Sequence, residues 1–102
     1  LAHHVYFWLK DPESKEDLAQ LLRGANRLTS IETIKGFHLA VPAATEDRNV
    51  IDNSYQVSWL AFFDSEADEQ IYQVHPTHLK FIEDYGHLWG KVVVYDSVQN
   101  TL

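Results

Sequence analysis

The chain has 102 residues, and eight Lys and Arg against fifteen Asp and Glu give it a net charge of −7. A negative field of this size repels nucleic acids and anionic membranes, so neither is expected as a partner. The absence of cysteine excludes disulfides, thiolate catalysis and cysteine-ligated metals. We predict one domain over residues 1–102 with no membrane span, and we favour a cytoplasmic location.

The first third of the chain predicts a strand followed by a helix. Residues 3–10 are rich in β-branched and aromatic side chains, and both faces of this predicted strand are bulky. Ser14, with Asp17 three residues later, resembles a capping box ahead of leucines at helical spacing. These features predict an amphipathic helix over residues 14–30. Within it, Gly24 should cost up to ~1 kcal/mol relative to alanine.

The middle of the chain predicts two further strands and a short helix. The strands cover residues 34–41 and residues 55–63, and a polar, turn-rich loop over residues 42–53 separates them. Ser65 begins the short helix as a capping residue, and the acidic residues of its first turn favour the helix dipole.

A proline divides the next helical segment into two helices. Pro76 has no backbone N–H and suits a first helical turn, so one helix should end near Val74 and another should begin at Pro76. His75 precedes the proline and is expected to cap or hold this joint. The second helix is predicted to continue to Trp89 and to stop at Gly90.

Residues 91–98 predict a fourth strand, so the order of elements is βαββαβ. This order suggests a ferredoxin-like α+β sandwich, in which an antiparallel four-stranded sheet carries its helices on one face. The strands are apolar on both faces, and a large apolar face exposed to water is a liability for a monomer. We therefore predict a homodimer in which two sheets pack face to face.

Much of the sequence resembles the stress-responsive A/B barrel family, also called Dabb domains. The matching stretches are the histidine-bearing strand at residues 3–10, Gly36-Phe37-His38, residues 54–64, His75-Pro76-Thr77-His78 with Phe81, and residues 91–96. The most specific of them is His-Pro-x-His followed three residues later by Phe. The resemblance implies a dimeric α+β barrel.

One plant branch of this family comprises polyketide cyclases, which close a linear poly-β-ketone by intramolecular aldol condensation. These enzymes use a Tyr and the second His of the His-Pro-x-His motif, and Tyr72 and His78 match those positions. The first helix departs from this branch, because it offers Leu21, Leu22 and Ala25 where the plant enzymes carry larger aromatic residues.

The resemblance also implies the residues that line a substrate pocket. The strand histidine facing the pocket matches His4, and the aromatic residues of the last helix match Phe81 and Trp89. His4 would then share the helix-covered face with Tyr6 and Trp8, while His3 would point towards the dimer interface or the strand end.

The residue types at the helix joint suggest acid–base chemistry. His78 could remove a proton next to a carbonyl group, and the hydroxyl of Tyr72 could stabilise the oxyanion that forms, with no cofactor. The reaction would be of the cyclase or isomerase type, on a small apolar or aromatic carbonyl compound. The structural alternative is that Tyr72 and His78 hydrogen-bond to each other and lock the joint.

The sequence leaves other functions open. The protein could be a non-catalytic, stress-related dimer or a small-ligand-binding protein, or a cofactor-independent monooxygenase of the related barrel superfamily. An enzyme should keep a cavity of a few hundred Å³ beside Tyr72 and His78, which a structural dimer would fill with Trp8, Phe81 and Trp89. No zinc-site, phosphate-loop or nucleophilic-serine signature occurs, so no metal or nucleotide is predicted.

Overall fold

The computed structural model describes residues 1–102 as an α+β fold built on one four-stranded sheet. The strands are β1 (Ala2–Leu9), β2 (Ile34–Ala40), β3 (Val57–Phe63) and β4 (Trp89–Ser97). The α-helices are α1 (Lys15–Asn26), α2 (Glu66–Val74) and α3 (Pro76–Tyr85), with short 3₁₀ turns at Arg27–Ser30 and Gly86–Leu88. This order confirms the predicted ferredoxin-like architecture.

The sheet has the strand order β2-β3-β1-β4, and all neighbouring strands are antiparallel. The two central strands, β1 and β3, pair so that Val5 lies opposite Trp59, while on the other side Val5 lies opposite Val94. Because side chains alternate along a strand, these three residues share one face of the sheet. The helices cover that face over β1 and β3, whereas Val94 on the edge strand β4 is 47% exposed. We call the helix-bearing face the covered face, and the opposite face, which carries no helix, the open face.

The core lies between the helices and the covered face of the sheet. Along β1, buried residues alternate with partly buried ones, and Val5 and Phe7 pack towards the helices. Helix α1 contributes Leu21 and Ala25, which have no exposed surface, and α3 contributes Phe81. Burying apolar surface in this layer is the main favourable contribution to folding.

The predicted helix starts are confirmed by their capping hydrogen bonds. The hydroxyl of Ser14 accepts from the backbone N–H of Asp17 at 3.1 Å, and Ser65 accepts from Asp68 in the same way. His75 caps α3, because its Nδ1 accepts from the N–H of Thr77 at 3.1 Å. The joint between α2 and α3 therefore lies where the proline predicts it.

The predicted end of the last helix was wrong. Helix α3 ends at Tyr85, Gly86 is its C-cap, and Trp89 already belongs to β4. The reason is tertiary: Trp89 pairs with Leu9 across the sheet and packs its ring against the core. Gly90 lies within the strand, where a Cβ atom would make ordinary van der Waals contact with Lys10.

No helix is long and apolar enough to cross a membrane.

Candidate functional site

A cavity of about 160 Å³ lies between the helices and the covered face of the sheet. Most of its lining is apolar and comes from strands β1 and β4 and helix α3. Three proton-bearing side chains, His3, Tyr72 and His78, line it as well. An apolar pocket with a few polar groups that converge on it is the usual form of a small-molecule site.

His78 is held so that one ring nitrogen remains available. Its Nδ1 lies 3.0 Å from the carbonyl oxygen of Gln73. A carbonyl only accepts, so Nδ1 carries the proton and the neutral ring leaves Nε2 as an acceptor. Burial lowers the pKa of His78, although the bond to Gln73 partly opposes this. At neutral pH the ring is therefore uncharged and able to take up a proton.

Tyr72 is held in its protonated form, which can donate a proton where His78 can accept one. It is 1% exposed, and its hydroxyl oxygen accepts a hydrogen bond from the indole N–H of Trp59 at 2.9 Å. Burial raises the pKa of Tyr72, so the hydroxyl keeps its proton and can donate it. Its ring lies 4.6 Å from the ring of His78.

The helix joint is not locked by a bond between Tyr72 and His78. Each makes its hydrogen bond to a different residue, and the bond from His78 to the Gln73 carbonyl spans α2 and α3. The two side chains predicted as the catalytic pair thus meet at one wall of the cavity with their functional atoms free of each other.

His3 also lines this cavity, although the sequence interpretation did not include it among the candidate residues. It is 3% exposed, and its ring centroid lies 5.6 Å from that of Tyr72. Its Nδ1 lies 2.6 Å from Oδ1 of Asp96 on β4, and the carboxylate orients the imidazole. The alternation of buried residues along β1 could have revealed His3, since it shares the face of Val5 and Phe7.

The predicted orientation of His4, Tyr6 and Trp8 was wrong. These residues lie on the open face, because the positions that alternate with them pack beneath the helices. Tyr6 and Trp8 line a separate depression of about 330 Å³ on that face. His4 stacks on Tyr6, with ring centroids 4.4 Å apart. None of the three lines the cavity beside Tyr72.

Phe81 and Trp89 do line the cavity, as the resemblance implied. With Phe7 they form an aromatic cluster whose ring centroids lie 5.1–6.1 Å apart. These rings narrow the space without closing it, so the cavity is smaller than the few hundred Å³ expected for an enzyme. No group of three or more His, Asp or Glu side chains is arranged to hold a metal ion.

Solved structures share this fold across nearly the whole chain. A Dabb family protein with a ferredoxin-like fold from Mesorhizobium loti is 24% identical, with coverage of 97% of this chain and 95% of that chain and a TM-score of 0.78. A hydroxynitrile lyase from Passiflora edulis is 22% identical, with coverage of 99% and 94% and a TM-score of 0.77. A dimeric ferredoxin-like protein of unknown function from Thermobifida fusca is 19% identical, with coverage of 92% and 85% and a TM-score of 0.72.

No curated protein matches the sequence. The model of the stress-responsive A/B barrel domain matches residues 1–99, which is almost the full chain. The histidine-bearing strand, the His-Pro-x-His joint and the last strand all fall within this match. The chain therefore belongs to the stress-responsive A/B barrel, or Dabb, family.

Proposed function

We propose that this protein is a cofactor-independent acid–base enzyme of the cyclase or isomerase type, acting on a small carbonyl compound. One observation carries the proposal: His3, Tyr72 and His78 line one apolar cavity, and each makes its hydrogen bond to a different residue. None of the three is hydrogen-bonded to another of the three.

The protonation states support a specific step. His78 accepts the proton next to the substrate carbonyl through Nε2, and the electron pair of that C–H bond forms the C=C bond of an enolate. The carbonyl oxygen becomes an oxyanion and accepts a hydrogen bond from the hydroxyl of Tyr72. Returning the proton to a different carbon completes an isomerisation. In a cyclisation the enolate carbon instead attacks a second carbonyl group, and the alkoxide that this forms takes the proton back from His78.

The size of the cavity limits the substrate. A volume of about 160 Å³ is close to the roughly 150 Å³ apolar cavity that holds benzene in an engineered protein. A single aromatic ring or a short branched chain bearing one carbonyl fits such a space. A long poly-β-ketone does not, which favours an isomerase over a cyclase of long chains.

A lyase acting on α-hydroxynitriles is a second candidate. A hydroxynitrile lyase shares this fold over 99% of the chain at 22% identity. The required groups are similar, because a base takes the hydroxyl proton as the carbon–cyanide bond breaks and its electron pair leaves on cyanide. The protonated base then gives this proton to cyanide, so the products are a carbonyl compound and hydrogen cyanide. The small, mainly apolar cavity suits a compact hydroxynitrile.

Exchange of α-protons in heavy water tests the proposal without knowledge of the natural substrate. NMR should show that the protein accelerates deuterium incorporation into phenylacetaldehyde. His78→Gln should reduce the rate by about 10²–10⁴-fold, and Tyr72→Phe by about 10²–10³-fold. Release of benzaldehyde from mandelonitrile, followed by absorbance, tests the lyase candidate.

A matched control is His87→Gln, since His87 is exposed and lies outside the cavity. It should leave the rates unchanged, and circular dichroism should show that all variants remain folded. Tight binding of phenylacetaldehyde without exchange or turnover would favour the alternative of a non-catalytic ligand-binding protein.

The open face of the sheet supports a homodimer. This face exposes Phe62 and Tyr95, which are 45% and 65% exposed, and Leu60 lies in the same row as Tyr95, with His4 between the two. A protein with the same fold is described as dimeric, at 19% identity. Two copies packed face to face would remove these apolar side chains from water.

Light scattering at micromolar concentration tests this dimer. The wild-type protein should have twice the mass of one chain, and Leu60→Glu should be a folded monomer because it places a charge at the centre of the interface. Leu79→Glu is the control, since Leu79 is 53% exposed on the helical side of the molecule. A monomeric wild type would refute the dimer.

A further inference from the structure

The open face carries two histidines in one row across the sheet. The strand register places His4 and His38 on either side of Leu60, with Tyr95 beyond His4. Two strand spacings separate the two imidazoles, or about 10 Å. In the proposed face-to-face dimer, both copies contribute this row, so four imidazoles enter one interface.

No carboxylate from the strands faces this row. The open-face strand residues are Ala2, His4, Tyr6, Trp8, Gly36, His38, Ala40, Ser58, Leu60, Phe62, Lys91, Val93, Tyr95 and Ser97. The only strand residue among them with a permanent charge is Lys91, whose Nζ lies 4.7 Å above the ring of Trp8. From the loop before β3, Tyr55 and the carboxylate of Asp52 line the depression beside Trp8.

The groups nearest His4 are neutral at neutral pH. Its Nδ1 lies 3.3 Å from the hydroxyl of Tyr6, whose ring also meets that of Tyr95. His3, the next residue in the chain, points to the covered face and is bound to Asp96. Within one chain His4 is not ion-paired with a carboxylate, and the only acid that lines the neighbouring depression is Asp52.

We infer that the open face is a pH-sensitive interface, in which protonation of His4 and His38 separates the two copies. The inference rests on the proposed face-to-face dimer. Neutral imidazoles can be buried between the sheets, whereas four cations that are not ion-paired with carboxylates repel one another and lose their hydration.

The direction of the effect follows from proton linkage. Burial and the neighbouring His38 already lower the pKa of His4 within one chain. Burial in the dimer lowers it further, so the separated chains bind more protons than the dimer does. The association is therefore complete above the ordinary histidine pKa near 6.5 and weakens as the pH falls below it.

Sedimentation at pH 7.5 and pH 5.0 tests this switch. The dissociation constant of the wild-type dimer should rise by about 100-fold or more on acidification, since four imidazoles take part and each contributes up to a factor of ten for every unit by which burial in the dimer lowers its pKa. His4→Phe and His38→Phe should each reduce the rise, and the double variant should remove it. His87→Gln should behave as wild type, and circular dichroism should show folded chains at pH 5.0.

The outcomes separate this inference from the dimer on which it rests. A wild-type monomer at pH 7.5 overturns the dimer itself and the switch with it. A dimer that is equally stable at both pH values overturns only the switch. Dissociation of the double variant to the same extent as wild type also overturns it, because the titrating groups would then lie elsewhere.

Discussion

The two faces of the sheet carry the same kinds of side chain in different surroundings. On the covered face, His3 is 3% exposed and is oriented by Asp96 beside the buried Tyr72. On the open face, the next residue, His4, is only partly buried and stacks on Tyr6. The layer of helices above the sheet makes the difference. The helices bury much of one face and enclose a cavity against it. The other face remains an apolar surface that carries titratable groups.

Replacing neighbouring residues of β3 tests this contrast most strongly. Trp59 is 1% exposed on the covered face, and Trp59→Ala should lower the free energy of unfolding by about 3–5 kcal/mol. Leu60→Ala on the open face should cost less than half as much free energy in the monomer and should instead weaken the proposed dimer. Urea unfolding at several protein concentrations measures both. Equal losses in the monomer would contradict the contrast.

Replacing His3 and His4, which are adjacent on β1, tests whether the proposed α-proton exchange depends on the covered face alone. His3→Gln should lower the rate of α-proton exchange about 100-fold, because it removes an imidazole held at the cavity wall. His4→Gln, assayed under conditions where it stays dimeric, should leave that rate unchanged. A loss of activity in His4→Gln, with none in His3→Gln, would restore the orientation that the sequence predicted.

Replacing Gly24 tests the packing within the layer of helices that lies on the covered face. A Cβ atom at this position would overlap the ring of Tyr85, where α1 meets α3. Gly24→Ala should therefore destabilise the protein by about 1–3 kcal/mol through overpacking, although alanine favours a helix by about 1 kcal/mol over glycine. Thermal unfolding measures the change. In a Tyr85→Leu background the same substitution should become neutral or stabilising.

Acidification should produce the smallest effect on the fold. Burial lowers the pKa of His78 in the folded chain, so the unfolded chain binds more protons below the ordinary value near 6.5. The stability is complete above that pH and declines as the pH falls towards the lowered pKa. Urea unfolding of the Leu60→Glu monomer should show this slope, and His78→Gln should reduce it. An unchanged slope would assign the titration to another group.

The helix joint shows how far local sequence could predict the site. Pro76 can begin a helix but cannot continue one, so the break between α2 and α3 follows from local chemistry. The same holds for the caps at Ser14, Ser65 and His75. Capping and the effect of proline involve residues no more than three or four positions apart. They can therefore be predicted from the local sequence.

The partners of the site residues could not be predicted in this way. His3 is bound to Asp96, which lies 93 residues away, and Tyr72 is bound to Trp59. The end of α3 at Gly86 rather than Gly90 likewise depends on Trp89 pairing with Leu9. Each of these contacts forms only when separate elements of the fold pack together, and the His3–Asp96 and Trp89–Leu9 contacts need strands from opposite ends of the chain.

By itself, the sequence determined the order of the elements, the helix joint and the placing of Tyr72 and His78 around it. Only the tertiary structure decided which of the adjacent His3 and His4 faces the helices. Alternation along a strand requires the two to point in opposite directions, but it does not say which direction is covered. The packing of the helices onto Val5 and Phe7 makes that choice.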